Sequence, residues 1–408
     1  MLSRLAKTDA ETVRAHNRLA VLDHLRRVSV STRKSVSEAT GLSVSASSAI
    51  SASLLRCGIL EEVEEDDRSN RRGRPGKGLG LSGGAACVAA LKLAVGEVSG
   101  RLSDYAGRPL AEIRREVDIA SHDGAALVML LADLCGALRS QAQGRSRPLD
   151  KVVVAVQGKT DSGLSGIVWS PALRHRDIEI AAPLTARLGA EVSVLNDCSV
   201  MPEAFRWQPD FAGLDFATLF VGFGVGMGLQ ISGETFQGKR SSAVEFGHIN
   251  HVPGGALCRC GNRGCVEAYA SDYAIWRRAK GTDEIAARRI RDEEIHALAE
   301  AARAGDAAAA TAFEEAGIAI GYGLGRVFTM IDPLPIVLTG SGVQAIDRLE
   351  PVIRRGIAES AVDGLGADTP LILEEDTDAL VFDAATAYAL AALDKGFSRS
   401  APEATEAA

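Results

Sequence analysis

Residues 258–265, CRCGNRGC, contain three cysteines, and His248 precedes them in the chain. Three thiolates and one imidazole form the donor set of a closed tetrahedral zinc site, and the glycines allow the backbone to fold around an ion. A site with four protein ligands has no open position, so the zinc would be structural. The alternative is three reduced thiols beside an ordinary polar histidine, and His251 is a weaker substitute for His248. The predicted ligands are His248, Cys258, Cys260 and Cys265.

Asn196 and Asp197 directly follow the predicted strand 192–195. In α/β folds, a polar pair at the carboxyl end of a strand faces the crevice in which ligands bind. A carboxylate and an amide together can accept hydrogen bonds from, and donate them to, adjacent hydroxyls of a sugar. The same pair is also typical of a turn or a helix N-cap, so the spacing alone leaves both interpretations open.

A third candidate is the glycine-rich stretch 222–228, GFGVGMG, into which a predicted strand beginning at Thr218 runs. Alternating glycines in a turn expose backbone N–H groups to an anion such as phosphate. A tight turn with close packing explains the same glycines equally well. The pattern alone therefore does not establish a phosphate site.

The N-terminal part of the chain has the spacing of a helix-turn-helix followed by a hairpin. Gly41 stops the second of three predicted helices, and Ser31 and Ser43 are good N-caps for the second and third. Two helices joined by a tight glycine turn are typical of DNA-binding proteins, in which a following hairpin forms a wing. The predicted helices are 12–27, 32–40 and 44–55, and the predicted strands are 61–63 and 79–81.

Two polar clusters in this head, residues 1–82, are candidates for contact with DNA. The N-terminal end of the third helix would enter the major groove, where serine hydroxyls bind phosphate well but read bases only weakly. The basic segment between the two strands suits a minor groove or phosphates, and the alternative is a solvated, flexible linker. The candidates are Ser43, Ser45, Ser47 and Ser48 in the helix, and Arg71, Arg72, Arg74 and Lys77 in the wing.

The rest of the chain predicts an α/β body, because apolar strand segments alternate with helical segments. The predicted strands are 88–95, 101–105, 152–156, 192–195, 218–228 with its turn, and 336–338. The predicted helices are 127–139, 184–188, 293–304, 307–328 and 383–393. We therefore expect a winged helix-turn-helix domain at 1–82, a body at 83–397 and a disordered tail at 398–408.

Composition and charge narrow the class of protein. The 408 residues are 46% hydrophobic and 24% charged, which excludes a disordered or fibrous chain. We expect no membrane helix, since no apolar run reaches about 18 residues, and no secretory signal. Seven cysteines, three of them clustered, indicate a reducing compartment, so the protein is predicted to be cytoplasmic. The net charge is +4 over residues 1–82 and −12 over the rest, and a basic head suits a polyanionic partner.

The order of these features resembles the ROK family of repressors, open reading frames and sugar kinases. The segment 258–271, CRCGNRGCVEAYAS, carries the most specific part of the resemblance, with ExGH at 245–248 and LTGSG at 338–342. The resemblance spans residues 12–395 and implies an actin-like, ribonuclease H-like, duplicated α/β body whose two lobes close on a sugar. It also makes His248 both a sugar contact and a zinc ligand. The sugar contacts that it implies are Gly158, Asn196, Asp197, Glu245, His248 and Glu267.

Departures from the kinases of this family argue against phosphoryl transfer. Lys92 stands where their first phosphate loop has an aspartate, and Phe223 replaces a threonine of their second loop. Because phosphoryl transfer depends on electrostatic clamping of Mg-ATP, we expect no enzyme activity. The segment 157–159, Gln-Gly-Lys, stands where the family usually has Pro-Gly. It alters a wall of the pocket and leaves the identity of the sugar open.

The resemblance and the departures together predict a sugar-responsive, DNA-binding transcriptional regulator, a repressor that a sugar inducer releases from its operator DNA. A homodimer would read a palindromic operator, and a homotetramer is also open. The alternative is a ROK sugar kinase with an added DNA-binding head. A third possibility is that a partner protein, rather than a sugar, acts as the inducer.

Overall fold

The computed structural model describes residues 10–64, 77–142, 147–239, 244–282 and 290–400. It shows a mixed α/β chain in which helices and a small sheet precede two five-stranded sheets. This architecture confirms the predicted α/β class and the two-sheet body that the ROK resemblance implies. Three predicted wing residues and most of the predicted tail lie outside the described residues, namely Arg71, Arg72, Arg74 and residues 401–408.

The described part of the head comprises α1 (Ala10–Val28), β1 (Val30–Ser31), α2 (Arg33–Thr40), α3 (Val44–Arg56), β2 (Leu60–Glu64) and β3 (Lys77–Leu81). Its three strands form an antiparallel sheet in the order β1-β3-β2. Gly41 ends α2 with a φ of 69°, and Ser43 caps α3, both as predicted. The cap of α2 is Thr32, which accepts a hydrogen bond from the N–H of Ser35, so the expectation of Ser31 was wrong. Ser31 lies in β1 because the chain is still extended there.

The first lobe comprises β4 (Cys87–Ala94), β5 (Glu97–Asp104), β6 (Pro109–Glu116), α4 (Gly124–Gln141), β7 (Lys151–Val156), β8 (Lys159–Thr160), β9 (Gly166–Trp169), β10 (Ile178–Glu179), α5 (Ala181–Leu188), β11 (Glu191–Asn196) and α6 (Asp197–Val200). Its main sheet has the order β11-β7-β4-β5-β6, and β8, β9 and β10 form a small separate sheet. Strands β7 and β11 are parallel, with Val156 opposite Asn196. The residues that follow these two strands therefore meet at one edge of the sheet.

The second lobe comprises β12 (Phe216–Val221), β13 (Val225–Ile231), β14 (Glu234–Thr235), α7 (Glu267–Ala270), α8 (Asp272–Lys280), α9 (Asp292–Arg303), α10 (Ala307–Ile331), β15 (Ile336–Thr339), α11 (Ile346–Ser360) and β16 (Leu371–Glu374). Its sheet has the order β14-β13-β12-β15-β16. The glycine-rich turn is shorter than predicted, because Gly226 and Gly228 lie inside β13. A β carbon at either position would come within 2.4 Å of an atom of Cys198, so close packing explains these two glycines.

The last helix, α12 (Thr377–Ser400), returns from the second lobe to the first lobe and the head. It is much longer than the predicted helix 383–393 and continues three residues into the predicted tail. It packs against β4, β7 and α1. At the contact with α1, Arg26 and Asp394 form a buried ion pair of 2.9 Å, and the hydroxyl of Tyr105 donates to Asp394. The head is therefore joined to the body through α12.

The helix α4 is mostly apolar, with Asp133 and Arg139 as its charged residues. Among the residues that the structure describes, Gly124–Gln141 is long and apolar enough to span a membrane by length and composition. This corrects the expectation that no stretch would reach that length. In the structure α4 packs against β5 and β6, and Leu127, Leu131 and Leu134 on its inner face are fully buried.

Candidate functional site

A cavity of about 410 Å³ opens between the two lobes. Its walls come from the carboxyl ends of β7 and β11, the turn between β12 and β13, and the cysteine-rich segment before α7. The resemblance implies six sugar contacts that are far apart in the sequence, and the structure brings all of them to this cavity. They are Gly158, Asn196, Asp197, Glu245, His248 and Glu267.

Asn196 links the two parallel strands that form the floor of this cavity. Its Nδ2 donates to the carbonyl oxygen of Gly158 at 2.6 Å, and its Oδ1 accepts from the N–H of Ser199 at 2.7 Å. Asn196 is therefore the N-cap of α6 as well as a cavity residue, so both interpretations of the Asn-Asp pair describe its position. Gly158 has a φ of +126°, and a β carbon there would lie 2.3 Å from the carbonyl oxygen of Trp169. Only glycine fits this close approach.

Asp197 is the buried carboxylate of the floor, with 9% of its surface exposed. Burial raises the pKa of Asp197 to about 6, while Lys92 and the N–H of Cys198 favour the charged form. The N–H of Cys198 donates to Oδ1 of Asp197 at 2.9 Å. A buried carboxylate with a pKa near neutral is typical of a functional site.

The four predicted metal ligands form one cluster in which all donor atoms lie within 4.8 Å of one another. The Sγ atoms of Cys260 and Cys265 are 3.8 Å apart, and Sγ of Cys258 is 3.8 Å from Nδ1 of His248. Tetrahedral zinc with bonds of about 2.3 Å separates its sulfur ligands by about 3.8 Å, so the donor set and its spacing fit. Without a cation, burial raises the pKa of Cys265 to about 11. The cluster could therefore hold a metal, which would stabilise the thiolate form.

Glu267 connects the metal cluster to the cavity. It begins α7, two residues after Cys265, and it is buried. Its Oε1 lies 3.4 Å from Sγ of Cys258, and its Oε2 accepts from the N–H of Val225 at 3.4 Å. His248 has the same double position, because it belongs to the cluster and lines the cavity.

Phe223, which stands in place of a kinase threonine, packs against the cysteine-rich segment. The guanidinium of Arg259 lies 4.1 Å from the centre of the Phe223 ring and 4.2 Å from that of Tyr273. Arg259 also donates to the carbonyl oxygen of Phe223 at 3.0 Å. Arg259 therefore holds the turn between β12 and β13 to the cysteine-rich segment, and the turn itself carries no hydroxyl group.

A second cavity, of about 520 Å³, adjoins the first one and shares Asp197 and Phe223 with it. Lys92 lies in this second cavity and forms an ion pair with Asp378 at the start of α12, to which Arg114 also binds. Lys92 is the only cationic side chain that lines it among the described residues. The lining carboxylates are Asp197, Asp292, Glu375, Asp376 and Asp378.

Sequence reasoning missed part of the wall that the small sheet of the first lobe contributes. Trp169 at the end of β9 and Arg176 just before β10 both line the 410 Å³ cavity, and so does Arg259. Lys159, which was singled out only as a departure from the family pattern, lies beside them in β8. These strands have two to four residues each, too short to show a periodic pattern.

The structure separates the serines predicted to contact DNA. Ser43 and Ser45 are exposed at the start of α3, and Ser48 is half-buried. Ser47 is fully buried, and its hydroxyl donates to the carbonyl oxygen of Arg33, so the prediction that it contacts DNA was wrong. Its side chain points to α2 because it lies on the inner face of α3. Lys77 is exposed and pairs with Glu62 at 2.5 Å.

The family model described as "ROK family" matches residues 120–380, which is more than half of the chain. The chain belongs to the ROK family. The matched range contains the whole inter-lobe cavity and the metal cluster, whereas the head lies outside it.

Curated relatives named as repressors and a curated relative named as a glucokinase all align with the chain. It is 23% identical to the xylose repressor of Bacillus spizizenii, over 89% of this chain and 92% of the relative. The repressor Mlc of Escherichia coli is 25% identical over 76% of this chain and 77% of its own length. The glucokinase of Streptomyces coelicolor is 29% identical over 52% of this chain and 71% of its own length.

Solved ROK structures show the same fold. A ROK family transcriptional regulator, described as a homologue of E. coli Mlc, superposes with a TM-score of 0.75 at 20% identity, over 94% of this chain and 99% of that chain. The ROK hexokinase of Thermus thermophilus superposes with a TM-score of 0.61 at 24% identity, over 74% of this chain and 97% of its own. The regulator therefore matches the head as well as the body, and the hexokinase leaves about a quarter of this chain unmatched.

Proposed function

We propose that this chain is a sugar-responsive, DNA-binding transcriptional regulator, a repressor that a sugar releases from its operator. The observation that carries the proposal is the convergence of Gly158 and five polar residues on one inter-lobe cavity in a chain that also has a head. Relatives named repressors align along most of this chain, while the glucokinase aligns along about half of it. The presence of the head is what favours a repressor over a kinase.

The head is proposed to be a winged helix-turn-helix domain, with a boundary to the body near residue 82. Its α2 and α3 are joined by the turn at Gly41, and the β2–β3 hairpin follows. The start of α3 presents exposed Ser43, Val44 and Ser45, of which Val44 is 67% exposed. Serine hydroxyls suit phosphates, and an exposed valine suits the methyl group of thymine in the major groove.

The 410 Å³ cavity is proposed to hold the sugar. The carboxylates of Asp197, Glu245 and Glu267 are acceptors for sugar hydroxyls, and such charge-assisted hydrogen bonds are the stronger kind. Trp169 adds an aromatic surface, which suits the apolar face of a sugar ring. A few polar groups in a concave, partly aromatic pocket are typical of small-molecule sites.

Zinc is proposed to occupy the His-Cys cluster as a structural ion. Three sulfurs and one imidazole nitrogen leave no open coordination position, so the ion would not bind a reacting water. When bound, it would fix His248 and the backbone before Glu267, which both face the cavity. The zinc would thereby support the sugar pocket from outside it.

We propose that the chain does not phosphorylate sugars. A triphosphate in the 520 Å³ cavity would meet five carboxylates and one lysine, and that lysine is already paired with Asp378. Repulsion of this kind opposes the clamping of Mg-ATP on which phosphoryl transfer depends. Phe223 also replaces the hydroxyl of the second loop by a ring stacked on Arg259. The alternative function, a ROK kinase with a DNA-binding head, is therefore disfavoured.

Helix α12 is proposed to couple the sugar site to the head. Its first residues, Thr377 and Asp378, line the 520 Å³ cavity, which shares Asp197 with the proposed sugar site. Near the other end of α12, Asp394 pairs with Arg26 of α1. A sugar that binds one arrangement of the lobes better than another would shift the position of the head through this helix. In a cytoplasmic homodimer, this shift would change the spacing between two heads on a palindromic operator.

DNA selection followed by a sugar screen tests this function. DNA fragments that bind the full chain are selected from a random pool, and release is then measured by fluorescence anisotropy with a panel of sugars. The proposal predicts a palindromic consensus and at least one sugar that weakens binding. Failure to enrich any DNA, together with sugar-dependent consumption of ATP, would show that the chain is a kinase instead.

A further inference from the structure

We infer that the sugar recognised by this chain carries an anionic group, a phosphate or a carboxylate, which Lys159 and Arg176 bind at one wall of the 410 Å³ cavity. The inference rests on the proposed function, since it names the class of effector that the same cavity takes. It is carried by the positions of two cations that line the cavity and form no ion pair within the described residues.

Lys159 lies in β8, directly opposite Trp169 of β9, and both residues line the cavity. Its side chain is half-buried, and no ion pair or side-chain hydrogen bond joins it to another residue of the described ranges. Burial raises the pKa of Glu245 in the second lobe, and the charge of Lys159 opposes this rise, but the two side chains form no ion pair. A half-buried ammonium without a partner is costly, and a bound anion would offset that cost.

Arg176 lies just before β10 on the same wall and is exposed. Its guanidinium likewise has no ion pair within the part of the chain that the structure describes. Arg259, the third cation of the lining, is different, because it stacks between Phe223 and Tyr273 and donates to a carbonyl oxygen. Two of the three lining cations are therefore available to a ligand.

Two of the carboxylates and two of the cations that line the cavity come from different elements. The buried carboxylates Asp197 and Glu267 are held by the backbone N–H groups of Cys198 and Val225, on the side of α6 and α7. Lys159 and Arg176 come from the small sheet of the first lobe. A neutral sugar has hydroxyls for the first side but no charge for the second. A sugar phosphate or a sugar acid would satisfy both, with charge-assisted hydrogen bonds to the cations.

Isothermal titration of matched sugars tests the inference. The probes are glucose, glucose 6-phosphate and glucuronate, together with N-acetylglucosamine and its 6-phosphate, added to the full chain. Hydrogen bonds to charged groups predict a preference of about 10-fold or more for the anionic member of at least one set. Whether the phosphate or the carboxylate is preferred identifies the source of the charge.

Variants locate the anion. Lys159→Met with Arg176→Gln should abolish the preference while the affinity for the neutral sugar changes less than 3-fold or so. Arg176→Gln alone, at an exposed position, should reduce the preference without affecting folding. Arg187→Gln, an exposed cation on α5 away from the cavity, is the control and should leave the preference unchanged.

The outcomes separate this inference from the function on which it rests. Equal affinity for the neutral and the anionic member of every set would overturn the inference and leave a sugar-responsive regulator intact. A preference that survives the double variant would also overturn it, since the anion would then lie elsewhere. Binding of no sugar at all, by a chain that still binds DNA, would overturn the proposed sugar response as well.

Discussion

The Sγ atom of Cys258, a ligand of the proposed metal site, lies 3.4 Å from Oε1 of Glu267, a residue of the inter-lobe cavity. The proposed metal site and the proposed sugar site are therefore in contact, and the segment 258–267 contributes residues to both. Residues that surround a metal and orient a neighbouring group commonly change affinity by about 10- to 100-fold when they are removed. We therefore expect substitutions at the two residues to have different effects on zinc content.

Cys258→Ser is expected to lower both the zinc content and the affinity for the effector, because the loop before Glu267 would lose its fixed position. Glu267→Ala is expected to keep the zinc and lose affinity, because only a hydroxyl acceptor is removed. Metal content by mass spectrometry and sugar titration by calorimetry check both variants. Cys57→Ser, an exposed thiol in the head, is the control. Normal sugar affinity in zinc-free Cys258→Ser protein would show that the metal does not support the pocket.

Asp197→Asn is expected to stabilise the protein and to weaken sugar binding. Burial raises the pKa of Asp197 to about 6, above the value of 3.8 for the free side chain. The folded state therefore binds the proton of Asp197 more tightly than the unfolded state does. The resulting stabilisation is fully present below about pH 4 and is lost as the pH rises through about 6. Because the amide of the variant stays neutral, its free energy of unfolding at pH 8 should exceed that of wild type by about 1 to 3 kcal/mol.

Thermal melts of wild type and Asp197→Asn between pH 4 and pH 8 measure this difference. The two curves should converge at low pH and separate above pH 6, with the variant melting at the higher temperature. Calorimetry at pH 8 should show affinity for the sugar reduced by about 10-fold, because charge-assisted hydrogen bonds are lost. A variant that is less stable than wild type at pH 8 would contradict this account of Asp197.

No sugar-dependent consumption of ATP is expected from the purified chain. Lys92 faces Asp378 in the second cavity, and Phe223 occupies the place of a hydroxyl. Lys92→Asp alone should not restore activity, because Phe223 and the remaining carboxylates stay in place. A coupled assay of ADP release with a panel of sugars checks both proteins. Steady turnover by the wild type, removed by Asp197→Asn, would establish a kinase.

Replacement of Arg71, Arg72 and Arg74 together by alanine is expected to weaken binding to all DNA sequences. Each cation that contacts a phosphate releases counterions, so the variant should also show a flatter dependence of affinity on salt. Anisotropy titrations at several salt concentrations measure both effects. A matched variant with three exposed arginines of the body changed to alanine, Arg139, Arg174 and Arg187, should retain the wild-type slope. An unchanged slope in the wing variant would rule out contact between this segment and DNA.

The sequence predicted the metal cluster and the floor of the cavity because their signals are local. Three of the four ligands lie within residues 258–265, and Asn196 and Asp197 directly follow a strand whose apolar residues are easily recognised. The parallel pairing of β7 with β11 then brings Gly158 to Asn196, as the strand order of an α/β sheet requires.

The remaining wall of the cavity could not be predicted, because it depends on packing between distant segments. Trp169 reaches the site from a short strand of a small sheet, and Arg176 from the segment just before another, and no local pattern indicates the pairing of these strands. Ser47 was assigned to DNA because it is a serine near the N-terminal end of the third helix, but its position on the inner face of α3 buries it against α2. Gly226 and Gly228 are glycines because Cys198 packs against β13, which is a tertiary contact.

Release of operator DNA by the effector sugar, measured by fluorescence anisotropy in wild type and Glu267→Ala, tests the central claim most directly. We predict that the effector weakens the binding of wild type to its selected DNA in a concentration-dependent manner. Glu267→Ala should bind the same DNA with unchanged affinity and should require about 10-fold or more effector for release. Equal release of both proteins, or no release of the wild type at a saturating concentration of a sugar that binds it, would contradict the account.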